Sequence, residues 1–448
     1  MRECALRFGL EELSFQFASP SSHSPTPAME YSRIIFALQF VFVFLVCLFQ
    51  HRNQPKTQDA ESIKAAEEEI KFDPNFLDLY HSGVQAYLEN DWEACINHIQ
   101  RSLSLYRNYY EAVANCRVQC EFERERFKNT HKEDYDHIHF FEKLIVKTVC
   151  LEKCRQINLS YLPRYFTLDY SNKQIFKTRK PYEYLQLCYY REGDLEKAIS
   201  ATYTALVANP GDDLMKKNME YYTQQKEFDW DKLRDMEDKR FSTYYQDGVD
   251  KYEQKQWKES IELLEIAMDT WLQEHDKCRA FCESEFDQGW FPDFTASVAN
   301  HYVFTLRCKQ NCTNELSFVN GRFYEDLYPS MFNYLQFAYY NIGKLVEASQ
   351  CAASYLLFYP DHEEMLNNVE YYKEAYKGKS KKFLKPRQTA TNFVQRFIYE
   401  VDFLNYVERE FSQLSNEPFR PRPQVDILTD HQIIDAGNSN LITENERK

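Results

Sequence analysis

The stretch YHSGVQAYLENDWEACINHIQRSLSLY, residues 80–106, indicates the fold. Glu89-Asn90-Asp91 has the composition of a turn between two helical segments. After this turn, apolar residues recur at the spacing of one helix face: Trp92, Cys95, Ile96, Ile99 and Leu103. Gly83 in the preceding segment would let the two helices approach closely. The stretch therefore predicts an antiparallel helix pair of the tetratricopeptide kind.

A second stretch, residues 184–210, repeats this form as YLQLCYYREGDLEKAISATYTALVANP. It predicts a helix, a turn at Glu192-Gly193-Asp194, and a second helix that stops at Asn209-Pro210, because proline cannot continue a helix. Such a pair cannot bury its apolar stripes alone. We therefore expect the pairs to stack into a helical solenoid.

The sequence carries this arrangement twice. Residues in the 80–96 stretch recur 165 positions later, and a longer series from 184 to 222 recurs 150 positions later. The second series includes Tyr184, Tyr190, Pro210, Asn218, Tyr221 and Tyr222, which recur as Tyr334, Tyr340, Pro360, Asn368, Tyr371 and Tyr372. A slowly changing offset is what duplication followed by loop deletion produces. We predict halves at 73–225 and 241–376, joined by a connector at 226–240.

The composition favours helices and argues against several classes of function. The chain has 448 residues, of which 44% are apolar, but only 10 glycines and 15 prolines. GxGxxG and GxxxxGK[ST] phosphate loops are absent from the sequence. The formal net charge of −15 argues against a nucleic-acid partner. We expect an all-α fold: a tandemly duplicated tetratricopeptide-like helical solenoid.

The N-terminal region predicts entry into the secretory pathway. IIFALQFVFVFLVCLF, residues 34–49, has Gln39 as its only polar residue and is shorter than the roughly 20 apolar residues of a membrane-spanning helix. We interpret residues 29–52 as a signal peptide, with an uncleaved signal anchor as the alternative. Residues 1–28, before Met29, are expected to be an upstream extension of the gene, and residues 53–72 an acidic linker.

Four CxxxC motifs account for eight of the 13 cysteines: Cys116/Cys120, Cys150/Cys154, Cys278/Cys282 and Cys308/Cys312. Residues four apart lie on one helix face, so each motif presents two sulfurs along one stripe. If two such helices lie antiparallel, the first cysteine of each motif lies opposite the second cysteine of the other motif. This predicts the bridges Cys116–Cys154, Cys120–Cys150, Cys278–Cys312 and Cys282–Cys308. A bridge within one motif is the competing connectivity.

Other cysteine chemistry is weakly supported, because structural zinc sites and thioredoxin-like redox sites both favour CxxC. Cys95, Cys188 and Cys351 do not fall in a CxxxC motif, and we expect them to be buried thiols. The motifs lie in insertions at about 112–181 and 274–328, which the bridges would hold against the solenoid. Asn158 and Asn311 begin glycosylation sequons, Asn-Leu-Ser and Asn-Cys-Thr.

A search for catalytic groups gives one candidate. His131-x-Glu133 and His137-x-His139 could supply the two histidines and one carboxylate of a non-haem iron site, but an exposed acidic helix or loop is the simpler interpretation. We therefore predict no catalytic residue, metal or cofactor. Residues 377–448 are interpreted as a basic linker, one helix at about 390–411 and a polar tail.

Four CxxxC motifs spread over duplicated tetratricopeptide-like units behind a signal sequence resemble the leprecan family, over about residues 75–411. Members with catalytic activity continue into an iron and 2-oxoglutarate dioxygenase domain with an HxD motif and a distal histidine. Here His431 is the only histidine after Tyr376. The chain resembles the short, non-enzymatic members.

This resemblance implies a helper subunit in the lumen of the endoplasmic reticulum. Its implied partners are a collagen prolyl 3-hydroxylase, a cyclophilin B-type prolyl isomerase and unfolded procollagen, with membrane attachment only if the leader is uncleaved. The alternatives are an adaptor for a collagen lysyl hydroxylase, a truncated gene model of a prolyl 3-hydroxylase, and a redox chaperone that uses CxxxC thiols. The sequence ends Glu446-Arg447-Lys448, without the usual lumenal retention tetrapeptide.

Overall fold

The computed structural model describes residues 74–127, 136–163, 166–225, 230–284, 293–375 and 385–415. The predicted upstream extension, leader and acidic linker, together with the polar tail from 416 onward and most of the basic linker, lie outside the described residues.

Seven helices of the described chain fall in the predicted first half. They are α1 (Phe76–Glu89), α2 (Trp92–Arg126), α3 (Asp136–Asn158), α4 (Tyr170–Lys177), α5 (Pro181–Arg191), α6 (Leu195–Ala208) and α7 (Asp213–Gln225). A 3-10 turn at Trp230–Lys232 lies in the connector. α1 packs against α2, α5 against α6, and α2 against α5. α7 packs against α6 and completes this half.

The second half repeats this order, with two short strands in place of α4. Its elements are α8 (Arg240–Glu253), α9 (Trp257–Phe281), α10 (Phe294–Glu315), β1 (Phe318–Val319), β2 (Arg322–Phe323), α11 (Leu327–Asn341), α12 (Leu345–Tyr355) and α13 (Glu363–Ala375). α8 packs against α9, α11 against α12, and α13 against α12. The final helix, α14 (Gln388–Ser415), lies where a helix was predicted over 390–411. The predicted all-α duplicated solenoid is confirmed.

Each half has its own hydrophobic core, built where the predicted apolar stripes face each other. Ile99 of α2 and Leu185 of α5 are fully buried in the first core. Trp271 of α9 and Leu335 of α11 are fully buried in the second. Phe281, at the end of α9, belongs to the first core and packs 4.5 Å from the ring of Tyr110. The second half therefore contributes a side chain to the core of the first.

Gly83 is required by the close approach of α1 and α2. A Cβ atom at this position would lie 2.5 Å from Cγ1 of Ile99 and 3.2 Å from its backbone nitrogen. Gly248 has the same place in the second half, where a Cβ atom would lie 2.8 Å from Cγ of Leu264. Both glycines therefore occupy packing positions, as predicted for Gly83.

Gly83→Ala is expected to lower the free energy of unfolding by about 2 kcal/mol, because the added methyl overpacks a contact that includes backbone. Urea unfolding would measure this. Gly211→Ala is the control, since its Cβ atom would meet nothing within 4 Å. Equal stabilities for the two variants would contradict the assigned packing role of Gly83.

The cysteine-bearing insertions begin as extensions of solenoid helices. We predicted an insertion from about 112, but α2 runs without interruption through 35 residues to Arg126. α9 likewise continues to Phe281. The first CxxxC motif of each half therefore lies at the C-terminal end of a long solenoid helix, and this end supports the second helix of the insertion.

Residues 318–323 form a two-stranded antiparallel hairpin that the sequence interpretation missed. Asn320 and Gly321 make its turn, with φ of 46° and 76°. Asn320 Oδ1 accepts from the backbone N–H of Asp235 at 2.8 Å, and Asn320 O accepts from the hydroxyl of Tyr203 at 3.0 Å. The hairpin thereby connects the second half to the connector and to α6.

Partly buried ion pairs hold α14 and the segment before it against α9. Arg387 donates two hydrogen bonds to Glu265, at 2.6 and 2.7 Å, and Tyr339 donates a third to the same carboxylate. Burial raises the pKa of Glu265, but the hydrogen bonds and charge of Arg387 outweigh it, so the net shift is downward. Arg279 and Glu400 form a second bidentate pair. The C-terminal helix is therefore an integral part of the second half.

Candidate functional site: the disulfide-linked helix pairs

In the first half, two disulfide bonds join α2 to α3. Cys116 is bonded to Cys154 and Cys120 to Cys150, with Cα–Cα separations of 5.8 and 5.6 Å. The helices run antiparallel, so the outer sulfur of each motif meets the outer sulfur of the other. The structure therefore brings these four cysteines together across the two helices and not within one motif.

The second half repeats this arrangement between the end of α9 and α10. Cys278 is bonded to Cys312 and Cys282 to Cys308, with Cα–Cα separations of 5.9 and 5.7 Å. Cys282 and Cys312 are buried. The C-terminal ends of α2 and α9 are thus each joined to a partner helix by two disulfide bonds. We call α2 with α3, and α9 with α10, the two linked helix pairs.

The structure contradicts one expectation about the remaining cysteines. We expected Cys95 and Cys188 to be buried thiols, but they form a disulfide bond between α2 and α5, with a Cα–Cα separation of 6.4 Å. Both face the contact between successive solenoid units, where the helices pack directly. Their counterparts in the second half are Ser260 and Ala338, so both sulfurs are missing there together. Cys351 is buried and free.

The Cys95–Cys188 bond has a signal in the sequence. Two cysteines that occur in one copy of a duplication and are both replaced in the other form a natural pair. Neither Cys95 nor Cys188 belongs to a CxxxC motif, so motif spacing does not indicate this bond.

The sulfurs offer little to a metal ion. Within the described chain, Cys278, Cys282 and Cys312 place three sulfur atoms within 4.8 Å of one another. Each is already bonded to another sulfur, and a disulfide has no thiolate to act as a ligand. The proximity therefore results from two adjacent bridges.

A chain of ion pairs joins the two linked helix pairs. Lys147 of α3 donates to Glu121 of α2 at 2.5 Å and to Glu283 at 2.6 Å. Lys309 of α10 donates to the other oxygen of Glu283 at 2.5 Å. Glu283 directly follows Cys282, so this carboxylate lies where the two linked pairs meet. The side chains of Lys147, Glu283 and Lys309 are only 14%, 22% and 19% exposed.

The charge of Glu283 is strongly stabilised. Burial raises the pKa of its carboxyl, but the nearby ammonium groups of Lys309 and Lys147 and their hydrogen bonds lower it to about 2. The group is therefore ionised at every physiological pH and connects α3 to α10.

The linked helix pairs expose an unusual number of apolar side chains. On α3, residues 141, 145 and 149 follow one another at four-residue spacing, with Ile145 62% exposed. On α10, residues 294, 298 and 302 repeat this spacing. The rings of Phe141 and Phe294 lie 5.9 Å apart and connect the two stripes. We call this the apolar insertion surface: Phe140, Phe141, Leu144, Ile145, Val149, Phe294, Val298 and Tyr302.

Contiguous exposed apolar residues on a soluble domain often mark an interaction site. Here they lie on helices that disulfide bonds hold in place, so a partner would meet a surface that is already ordered. Preorganisation of this kind reduces the entropy lost on binding. The surface is therefore suited to binding a protein partner.

The predicted glycosylation residues are both exposed and lie beside the bridges. Asn158 ends α3, and its amide donates to the backbone oxygen of Cys154 at 3.0 Å. Asn311 lies within α10, and its amide donates to Glu315 at 3.0 Å. Glycan attachment at these residues stays a prediction.

Two residues of the candidate non-haem iron motif, His131 and Glu133, lie outside the described residues. His139 lies in α3, where its Nδ1 is 3.4 Å from Oε2 of Glu142 and its ring stacks on Phe127.

Comparison with known proteins identifies the family to which this chain belongs. The model of the Leprecan family TPR-like repeat region matches residues 75–376, which covers α1 to α13. The chain belongs to the leprecan family. Both linked helix pairs and both solenoid halves lie within the matched leprecan region.

Individual leprecan relatives agree with this assignment. Cartilage-associated protein from Mus musculus is 32% identical over 319 residues, which cover 70% of this chain and 78% of that protein. The Homo sapiens protein of that name is 31% identical over 320 residues, with the same coverage. Prolyl 3-hydroxylase 1 from Homo sapiens is 30% identical over 344 residues, which cover 73% of this chain but 46% of that protein. The chain thus spans about half the length of its prolyl 3-hydroxylase 1 relatives.

Among the described residues of this leprecan chain, none of the helices has both the length and the apolar character that crossing a bilayer requires.

Proposed function

We propose that this leprecan protein is a non-enzymatic helper subunit of a collagen prolyl 3-hydroxylation complex in the lumen of the endoplasmic reticulum. Its partners would be a prolyl 3-hydroxylase and a cyclophilin B-type prolyl isomerase, with unfolded procollagen as the chain on which the complex acts. The proposal assigns the protein no metal, no cofactor and no nucleic acid.

The apolar insertion surface is the observation that carries this proposal. It comprises side chains from α3 and α10 that are between 38% and 63% exposed. The bridges and Glu283 hold these helices in place, so the surface is a preformed docking site. The matches to cartilage-associated protein and to prolyl 3-hydroxylase 1 support a collagen-related role for the family to which the site belongs.

The disulfide bonds support the proposed compartment. Five bridges within the described chain would be reduced in most cytosolic settings and persist in an oxidising lumen. The predicted signal sequence agrees with this placement. Transport of a fluorescent fusion to the lumen would test it directly.

Ile145→Glu combined with Val149→Glu is expected to reduce recovery of the enzyme partner at least tenfold, because two charges enter a surface that partner binding would desolvate. The experiment is affinity capture of the tagged full chain from secretory-pathway membranes, followed by mass spectrometry. Both residues are exposed, so circular dichroism should show an unchanged fold.

Leu88→Glu is the matched control, since Leu88 is 66% exposed on α1 and does not belong to the apolar insertion surface. It should recover the partners as the wild type does. The proposal fails if the wild type recovers neither a prolyl 3-hydroxylase nor a prolyl isomerase. Recovery of a collagen lysyl hydroxylase alone would select the adaptor alternative.

A further inference from the structure

The two solenoid halves share a tyrosine cluster that includes exposed rings outside the hydrophobic cores. Tyr221 of α7 and Tyr371 of α13 occupy equivalent positions and are 48% and 50% exposed. The preceding residues, Glu220 and Glu370, are identical and exposed as well. An exposed residue that contributes little to the core is free to change after duplication. These four did not change.

Neighbouring exposed positions on the same helices did diverge. Leu214, Lys216 and Lys217 of α7 correspond to Glu364, Leu366 and Asn367 of α13, and all six are exposed. The other identical residues of these helices include Met215 and Tyr222, with counterparts Met365 and Tyr372, and all four are buried. Packing accounts for the buried matches. Core packing does not account for the matches at the exposed tyrosine and glutamate.

In the first half, the cluster is held by hydrogen bonds. The hydroxyl oxygens of Tyr190 and Tyr221 lie 3.1 Å apart. Tyr190 stacks on Tyr222 with ring centroids 4.7 Å apart, and Tyr222 donates to Gln186 Oε1 at 2.6 Å. The buried hydrogen bond between Tyr222 and Gln186 thus fixes the ring of Tyr222, and the more exposed Tyr190 stacks on that ring.

The second half has the same parts. The rings of Tyr340 and Tyr371 meet edge to face at 5.8 Å, and Tyr340 lies 6.4 Å from Tyr372. Gln336 donates to the hydroxyl of Tyr372, which is the equivalent of the Gln186 contact. Tyr340 is itself 38% exposed. Each half therefore presents two exposed or half-exposed phenol rings on a fixed base.

The chemistry of these clusters fits an extended, proline-rich chain. A polyproline II helix has no internal hydrogen bonds, so its carbonyls remain free to accept from a phenol hydroxyl. Its pyrrolidine rings pack on aromatic faces, and its rigidity lowers the entropy lost on binding. Glu220 and Glu370 beside the tyrosines disfavour an acidic ligand. Two equal sites in one chain fit a ligand that is itself repetitive.

We propose that Tyr190 with Tyr221, and Tyr340 with Tyr371, form two equivalent binding sites for a neutral, proline-rich chain in the polyproline II conformation. The inference deepens the collagen part of the proposed function and rests on it for the natural source of such a chain. The sites require no hydroxylase.

The test is isothermal titration of the full chain with a capped decaproline peptide. The wild type should bind two peptides, Tyr221→Ala and Tyr371→Ala one each, and the double variant none, with at least a tenfold loss of affinity at each altered site. Tyr221→Phe should retain most of the binding, because the ring remains. Tyr170→Ala is the control, since Tyr170 is 68% exposed on α4 and should leave both sites intact.

Three results would overturn the inference: no decaproline binding by the wild type, unchanged binding by the double variant, or equal binding of a capped Gly-Ser peptide of the same length. Circular dichroism of each variant checks the fold. If decaproline binds but affinity capture recovers no partner, the proposed complex is rejected and the two peptide sites are retained. If affinity capture succeeds but decaproline does not bind, only the two peptide sites are rejected.

Discussion

Replacing Cys116, Cys120, Cys150 and Cys154 with serine is expected to lower the free energy of unfolding by about 5–6 kcal/mol and to release α3 from α2. The two bridges close segments of 38 and 30 residues. One crosslink of this span restricts the unfolded chain by about 3–4 kcal/mol, and the second adds less because the two loops are nested. α3 leaves many of its apolar residues exposed, so packing alone holds it weakly.

Urea unfolding would measure the stability, and hydrogen exchange would follow the amides of α3. Protection across α3 should fall to near that of an unfolded segment while α1 and α5 stay protected. Recovery of the enzyme partner should be lost with it, because the apolar insertion surface is no longer ordered. Cys351→Ala is the control, since it removes a buried free thiol and leaves both linked helix pairs intact. Unchanged protection of α3 in the fourfold variant would contradict its dependence on the bridges.

Glu283→Gln is expected to lower the free energy of unfolding by about 3 kcal/mol, because it removes the counter-charge from the largely buried ammonium group of Lys309. Lys147 loses one of its two carboxylate partners and keeps Glu121. Glu196→Ala is the matched control. Its ion pair with Lys232 is exposed, with side chains 63% and 55% accessible, and such a pair contributes at most about 1 kcal/mol. Similar losses in the free energy of unfolding for the two variants would show that Glu283 contributes no more than an exposed ion pair.

The acid dependence of this effect has a definite sign. The pKa of Glu283 is lowered from 4.5 to about 2 in the folded protein, so the carboxylate is favoured by folding. Its contribution is fully present above about pH 4.5 and is lost as the pH falls through about 2. The stability difference between the wild type and Glu283→Gln should therefore shrink over that interval in urea unfolding. A difference that grew on acidification would contradict the assignment.

The duplication and the helix pairs could be predicted because their signals are local or repeat along the chain. Turn residues, apolar spacing and equal offsets located the solenoid units. The CxxxC spacing placed sulfurs on one helix face, and antiparallel packing then left one pairing between neighbouring helices.

Other features depend on contacts that spacing does not encode. Cys95 and Cys188 lie 93 residues apart and meet only because successive solenoid units stack. The hairpin turn Asn320-Gly321 has a recognisable hairpin signal, but its strands are only two residues long and offered no alternation to detect.

The apolar insertion surface was equally hidden in the sequence. Apolar residues surround α3 on several faces, so periodicity could not show which would remain exposed. Only the position of α3 against α2, fixed by the bridges, shows that Ile145 and Val149 remain exposed. The ion pairs of Glu283 likewise join elements that are distant in sequence.

Tryptic peptide mapping of the unreduced full chain tests the central claim most directly. Arg117, Lys153, Arg279 and Lys309 each lie between the two cysteines of a motif, so trypsin separates every CxxxC pair and each bridge can be assigned. We predict the links Cys116–Cys154, Cys120–Cys150, Cys278–Cys312, Cys282–Cys308 and Cys95–Cys188, with Cys351 free. Reduced thiols at the eight motif cysteines, or links within a single motif, would contradict the account.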